Sequence, residues 1–302
     1  MNNIGLLQKT KVSLLRRFYR MLGARTWRGH NPQVEHRDIQ AGTSEGEISM
    51  RIYQGESAAD KPLVVYFHGG GWVLGSLESH HPFCQSLCED NGCTVISVDY
   101  RLAPENLFPA AHDDCLAATD WVAENIDEFG PSNGKMVLAG DSAGANLATA
   151  TCLALSPGVR RCVIGEIIIY PVTDHYESAF ASYVDKASGY SLSSKMMCWF
   201  WDIYLGNSGT TDLTEEPERA MPLKATGLST LPPTLLVTAE NDPLRDEGIA
   251  YAEKLRDAGV AIQYRHFEDA AHGFACSEGP TVNFNAFMND MVKWLHHLEA
   301  KN

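Results

Sequence analysis

A serine set among glycines and small residues, Gly140-Asp141-Ser142-Ala143-Gly144, follows the apolar run that begins at Met136 and leads straight into the helical pattern ANLATATCLAL. Between a strand and a helix, a Gly-x-Ser-x-Gly pattern forces the serine onto a sharp turn. The glycines stand where any side chain would strike the neighbouring strand or helix, and the hydroxyl is left exposed at the helix N-terminus. That placement suits a nucleophile. The plainer reading, a small-residue turn with a serine cap, leaves the following features without a reason.

A serine nucleophile needs a base, a carboxylate to orient the base, and donors for an oxyanion. Asp242 in NDPLRD follows the run TLLVTAE, and His272 in EDAAHGF follows AIQYRHF. The chain order Ser142, Asp242, His272 is the one expected for a triad mounted at strand ends of an α/β sheet. Asp242 before Pro243 is also a good helix start, Asp246 is a nearby competitor for the acid, and His266 and His112 compete for the base. Neither of those histidines lies in a loop just past a strand end. HGGGW, His68 to Trp72, directly follows PLVVYF. Three successive glycines let backbone amides point inward, where they join the amide of Ala143 as oxyanion donors. A phosphate-cradling loop also uses glycines, but no GxGxxG or GK[ST] context accompanies this one.

The elements that must position these groups are legible as well. Two hairpin strands are expected around Val34 to Ile39 and Ile48 to Tyr53. Buried strands are expected at PLVVYF, TVISVDY, MVLAG, EIIIY, TLLVTAE and AIQYRHF, with helices near Glu78 to Asp90, Ala110 to Asn125, Ala143 to Leu155, Leu244 to Asp257 and Asn283 to Leu298. Strands alternating with helices make an α/β fold with a mostly parallel sheet, because parallel crossovers need long connections that lie on the sheet faces. Thr173 to Lys224 breaks this rhythm and reads as an insertion. Its Trp199, Phe200, Trp201, Tyr204 and Leu205 form a buried helix or line a cleft, with burial favoured. The first thirty residues hold seven basic side chains and no carboxylate. Lys9, Lys11 and Arg16 interrupt every apolar run there, so neither a secretory segment nor a membrane span is expected. Leu7, Leu14, Phe18 and Leu22 lie near one helical face, which predicts a helix docked on the body. A transit peptide is the competing reading.

Composition bounds the class. With 302 residues, 44% hydrophobic and 21% charged, the chain is long enough for one α/β domain with a core. Its net charge of -14 repels a phosphate backbone or an anionic membrane face overall. Eight cysteines without a CxxC pair are too dilute for a disulfide scaffold and suit a reducing, cytoplasmic setting. His80, His81, Cys84 and Cys88 have a spacing that suits zinc, but Cys84, Leu87 and Cys88 also make the apolar stripe of a helix packed on a sheet, which is the preferred reading.

HGGGW, DYRLAPE (Asp99 to Glu105) with FPAAHDD behind it, GDSAGAN, NDPLRDEG and AAHGF occur in this order. Together they resemble the hormone-sensitive-lipase-like branch of α/β-hydrolase esterases, and are similar to bacterial acetyl esterases and plant carboxylesterases. The resemblance runs from about Leu63 to the C-terminus. It implies a single α/β-hydrolase domain over 1–302, no cofactor or metal, and a cap built from about 1–30 and 173–224. It also implies that Gly70 and Gly71 join Ala143 as oxyanion donors, with His68 and DYRLAPE as supports. Two departures stand out: Ala145 replaces a further glycine common in the elbow, and the segment before the sheet is short.

The expected function is therefore that of a serine carboxylesterase acting on short acyl chains, of acetyl to hexanoyl size. Amide or formamide hydrolysis by the same triad is the alternative. A non-catalytic small-ligand receptor, as in plant relatives that lack the histidine, is disfavoured by the presence of His272. Expected partners are a small-molecule ester, with no nucleic acid and no stable membrane insertion, and a homodimer is left open.

Overall fold

The structure, a computed structural model, describes residues 6–27, 34–56, 58–130, 132–206, 217–277 and 279–299, and leaves the side chains of 6–9 and 22–24 undescribed. The chain opens with α1 (Leu6–Thr26), β1 (His36–Thr43), β2 (Gly46–Tyr53), β3 (Leu63–Phe67), α2 (His81–Asn91) and β4 (Val95–Asp99). It continues through α3 (Ala110–Glu124), β5 (Met136–Asp141), α4 (Ala143–Ala154), α5 (Pro157–Arg160) and β6 (Val163–Ile169). The inserted segment supplies α6 (Ser182–Asp185), α7 (Ser194–Tyr204) and α8 (Pro217–Ala220). The chain then closes with β7 (Thr234–Asn241), α9 (Arg245–Asp257), β8 (Ile262–Ala271) and α10 (Val282–Glu299).

One sheet runs in the order β1-β2-β4-β3-β5-β6-β7-β8. The pairs β1·β2 and β2·β4 are antiparallel, and every later pairing is parallel. LVVYF of β3 and VIGEIII of β6 are buried at every position, as strands covered on both faces must be. Alternation sorts β3 between two cores, with Leu63, Val65 and Phe67 on one face and Val64 and Tyr66 on the other. The first face packs on α3, α4 and α9 through Cys115, Leu147 and Leu255. The second packs on α2 and α10 through Cys84, Leu87, Cys88, Phe287 and Trp294. This is an α/β-hydrolase fold.

Three expectations need correction. The first hairpin strand lies at His36–Thr43, later than Val34 to Ile39, and the helix placed at Glu78 begins at His81 because Ser76 to His80 close a turn first. Helix α1 does pack on the body, but not through the expected side. Leu14 and Phe18 are 65% and 62% exposed while Val12 is fully buried; Leu7 and Leu22 lie outside the described side chains. The rotation follows from Arg16, whose guanidinium donates to Val73 O and Ala103 O, each at 2.8 Å, and pairs with Glu105. Satisfying two backbone carbonyls and a carboxylate outweighs burying the leucine stripe. The aromatic group of the insertion, for which burial was favoured, divides. Trp201 and Tyr204 are core, with Tyr204 stacked on Trp72 at 4.2 Å and 9°, while Trp199 is only half-buried and lies under the Lys11 ammonium at 5.6 Å.

Candidate active site

The carboxyl ends of β3, β5, β7 and β8 converge, as open parallel sheets lead one to expect. Strand β5 ends at Asp141 and α4 begins at Ala143, so Ser142 alone makes the turn, at φ 54° and ψ −118°. A positive φ on a non-glycine residue costs about 1–3 kcal/mol and persists only where neighbours fix it. Here the Ser142 amide donates to Ile169 O at 2.8 Å, and its carbonyl accepts from Asn146 and Val172. A Cβ on Gly140 would collide with the Gly144 backbone, and one on Gly144 with Phe67 O. The two glycines are required for space as well as for the turn.

His272 directly follows β8 and Asp242 directly follows β7. His272 Nδ1 donates to Asp242 Oδ2 at 2.6 Å, and the Ser142 hydroxyl donates to His272 Nε2 at 3.0 Å. A buried carboxylate can only accept, so the imidazole proton resides on Nδ1 and leaves Nε2 free to accept. Asp242 Oδ1 meanwhile accepts from the Leu244 amide at 2.8 Å. Asp242 thus closes the turn that leads into α9, whose N-cap is Leu244, with one oxygen and partners the imidazole with the other. Asp246 instead pairs with Arg245 and accepts from the Ser182 amide. His266 bonds Thr238 and Glu240, and His112 is buried edge-on to Phe108.

The glycine loop is fixed from beneath. Tyr100 donates to His68 O at 2.6 Å, and the Gly69 amide donates to Asp141 Oδ1 at 2.7 Å. Asp141 Oδ1 also accepts from Tyr66 at 2.5 Å and faces His80 Nε2 at ion-pair distance, 3.4 Å. Burial opposes charge on Asp141, but His80, Tyr66 and the Gly69 amide together hold its carboxyl below the usual range. His68 is pushed down to about 3 by burial and by His80, so it is neutral and supports the loop through Nδ1 on Gly69 O. Gly70 and Gly71 carry positive φ of 119° and 61°. Among the described residues, no backbone acceptor bonds the amides of Gly70, Gly71 or Ala143. The Ala143 amide is one of the open donors of the α4 N-terminus.

These groups share a cavity of about 200 Å³. Ser142, His272, Gly70 and Gly71 form its floor, and Leu74, Leu192, Met196, Met197 and Phe200 supply most of its wall. Tyr19, Asp141, Ser191, Gly273 and Ser277 complete the lining. Phe200 apart, sequence reasoning missed the wall residues and Tyr19, Ser191 and Ser277, since they come from α1, the turn after the glycine loop, the insertion and a late loop with no motif of their own. Phe200 is the single member of the expected aromatic group that reaches the cavity, and its ring lies against the Cα of Gly71. A larger cavity, about 370 Å³, opens beside Cys152, Arg160, Thr230 and Leu298 at the amino end of the strands and holds none of these groups. No group of His, Cys, Asp and Glu suited to a metal occurs among the described residues. Cys84 and Cys88 are buried thiols against the sheet, as the apolar-stripe reading expects.

The alpha/beta hydrolase fold family Abhydrolase_3 matches residues 64–276. Carboxylic ester hydrolase LipN of Mycobacterium tuberculosis is 38% identical over 82% of this chain and 66% of its own length, so the chain spans about two thirds of that relative. An arylesterase of Saccharolobus solfataricus is 35% identical, covering 87% of this chain and 86% of its own. The esterase of Pyrobaculum calidifontis superposes with a TM-score of 0.86 at 36% identity, over 94% of this chain and 92% of the other. The chain therefore belongs to the alpha/beta hydrolase fold family Abhydrolase_3, in its hormone-sensitive-lipase-like branch.

Proposed function

We propose that this carboxylic ester hydrolase cleaves short-chain acyl esters through a covalent acyl-enzyme on Ser142, with His272 as base and Asp242 as its orienting carboxylate. The observation that carries this reading is the unbroken chain Ser142 Oγ, His272 Nε2 and Nδ1, Asp242 Oδ2, at 3.0 and 2.6 Å, opening onto a cavity floored by Gly70 and Gly71.

Ser142 Oγ bonds to the acyl carbon as its proton passes to His272 Nε2, and the carbonyl oxygen becomes an oxyanion held by the amides of Gly70, Gly71 and Ala143. Collapse breaks the acyl carbon to alkoxy oxygen bond, and the proton on His272 passes to the leaving alcohol. Water then enters, gives a proton to His272 and attacks the acyl carbon. Return of that proton to Ser142 Oγ releases the acid. The backbone bonds that fix the strained turn at Ser142 keep the nucleophile in place throughout.

A volume of about 200 Å³ lies below the range of drug-sized pockets, which supports acyl groups of acetyl to hexanoyl size. Helix α1 and the described parts of the segment 173–224 act as a cap over the single domain, since Tyr19, Ser191 and Phe200 reach the cavity from them; residues 1–5, 28–30 and 207–216 of the expected cap lie outside the described residues. Free, mostly buried cysteines support residence in a reducing compartment such as the cytoplasm. Among the described residues no helix is long and apolar enough to cross a membrane. The test is kcat/KM across p-nitrophenyl esters from acetate to palmitate, with an anilide of one acyl group alongside. A maximum at hexanoate or shorter, with the ester strongly preferred and Ser142→Ala inactive, is expected. A maximum at dodecanoate or beyond, or a preferred anilide, rejects the reading.

A further inference from the structure

Helix α1 presents two unlike sides. Val12, Arg16 and Tyr19 meet the body, whereas Leu14, Phe18 and Met21 are 65%, 62% and 63% exposed. Their i, i+4, i+7 spacing puts them in one stripe. Large apolar side chains gathered on one surface stripe mark an interaction site more often than scattered ones do. Lys11 borders the stripe on one edge, Arg17 and Arg20 on the other, and Arg25 continues it toward the helix end; all four are exposed. Arg17, Arg20 and Arg25 have no hydrogen bond or ion pair among the described residues.

The charge of this helix narrows the choice of partner. Its thirty-residue segment carries seven basic groups and no acidic one, while the rest of the chain stands at 17 − 38 = −21. Two such stripes face to face would bring arginines of both copies together, so a second α1 is a poor partner. An anionic surface satisfies the cations and the apolar stripe at once. Charge on the rest of the chain does not cancel this, because screening confines electrostatics to about 8 Å at physiological salt.

We propose that α1 is an interfacial helix that docks the chain on an anionic phospholipid bilayer. Leu14, Phe18 and Met21 enter the headgroup boundary, and Arg17, Arg20 and Arg25 engage lipid phosphates. The contact is peripheral and spans nothing. The same helix lines the cavity through Tyr19, and its Lys11 sits over Trp199 on α7, one turn from the cavity residue Met196, itself 40% exposed. Docking therefore brings the cavity mouth next to the lipid surface without changing the acyl length the cavity accepts. The inference stands apart from the acyl-enzyme reading, because its test reads binding and not turnover.

The experiment is co-sedimentation of the full chain with vesicles of phosphatidylcholine alone and of phosphatidylcholine mixed with phosphatidylglycerol. Preference for the mixed vesicles is expected, weakened by salt. The double variants Leu14→Ser/Phe18→Ser and Arg17→Glu/Arg20→Glu should each lose about tenfold or more in partitioning, while hydrolysis of a soluble ester is unchanged. Absence of preference for the anionic vesicles overturns the proposal, as does equal binding by both variants. A wild-type dimer that either variant converts to monomer, with no vesicle binding, assigns the stripe to a second copy and overturns it too.

Discussion

The carboxylate of Asp141 and the backbone amide of Gly69 are hydrogen-bonded at 2.7 Å, which ties the residue before Ser142 to the loop that faces it. The contact is tight enough that a Cβ on Gly69 would strike Asp141. With the Gly69 amide turned down to Asp141, the next peptide units are free to present Gly70 and Gly71 to the cavity. In the proposed mechanism this makes Asp141 a positioning residue for the oxyanion donors.

Asp141→Ala should lower kcat by about tenfold to a hundredfold with little change in KM, because misplaced oxyanion donors weaken the transition state more than the ground state. Asp141→Asn, whose amide oxygen can still accept from Gly69, should recover part of the loss. Steady-state kinetics on p-nitrophenyl acetate decide it, and an equal rise in KM with kcat unchanged rejects the positioning role.

Asp242 and Asp246 separate cleanly by geometry, and their variants should separate in the same way. Asp242→Asn leaves Nδ1 without its carboxylate and should cost roughly three or more orders of magnitude in kcat. Asp246→Asn keeps the imidazole contact and loses an ion pair with Arg245, so it should remain active with slightly lower stability. The reverse pattern moves the acid role to Asp246. Ser142→Ala and His272→Ala should match Asp242→Asn or exceed it, with circular dichroism unchanged.

What could be read in the sequence was what the backbone demands locally. Gly140, Gly144 and Gly69 to Gly71 are written as glycines because a Cβ has no room there, and strand ends announced where Asp242 and His272 would stand. The side of α1 that packs was hidden, since Arg16 finds its acceptors at Val73 and Ala103, far along the chain. For the same reason Trp201 and Tyr204 were ambiguous: their partner Trp72 belongs to another element. Tyr19, Ser191 and Ser277 carry no periodic or motif signal, and only the assembled fold brings them to the cavity.

Phe200 should set acyl length. Its ring lies against Gly71 and walls the cavity, so Phe200→Ala opens room for further methylenes, each contributing about 0.8 kcal/mol when buried. The optimum acyl chain should lengthen by about two carbons or more, at a stability loss of about 3 kcal/mol. Trp199→Ala, altering a residue outside the cavity, should leave the profile in place. A profile that responds to Trp199 and not to Phe200 refutes this assignment.

Glu166 should make stability fall with rising pH. It is fully buried on β6, where Oε1 accepts from Thr234 at 2.8 Å. Burial pushes its carboxyl up to about 7 from 4.5, against the pull of Thr234, Cys152 and Thr149. A folded-state value above the unfolded one means that the native chain holds the proton more tightly. Folding is therefore favoured by protonation, and stability declines as pH rises from about 4.5 through about 7. At 1.36 kcal/mol per unit the loss is about 3 kcal/mol. Glu166→Gln keeps the neutral shape and cannot ionise. The variant should match the wild type near pH 4.5 and exceed its Tm by about 5 °C at pH 8. Thermal unfolding of both proteins across this range measures the difference directly. A wild-type to variant gap that does not widen with pH would show that the native carboxyl holds its proton no more tightly than the unfolded one, and would reject the raised value.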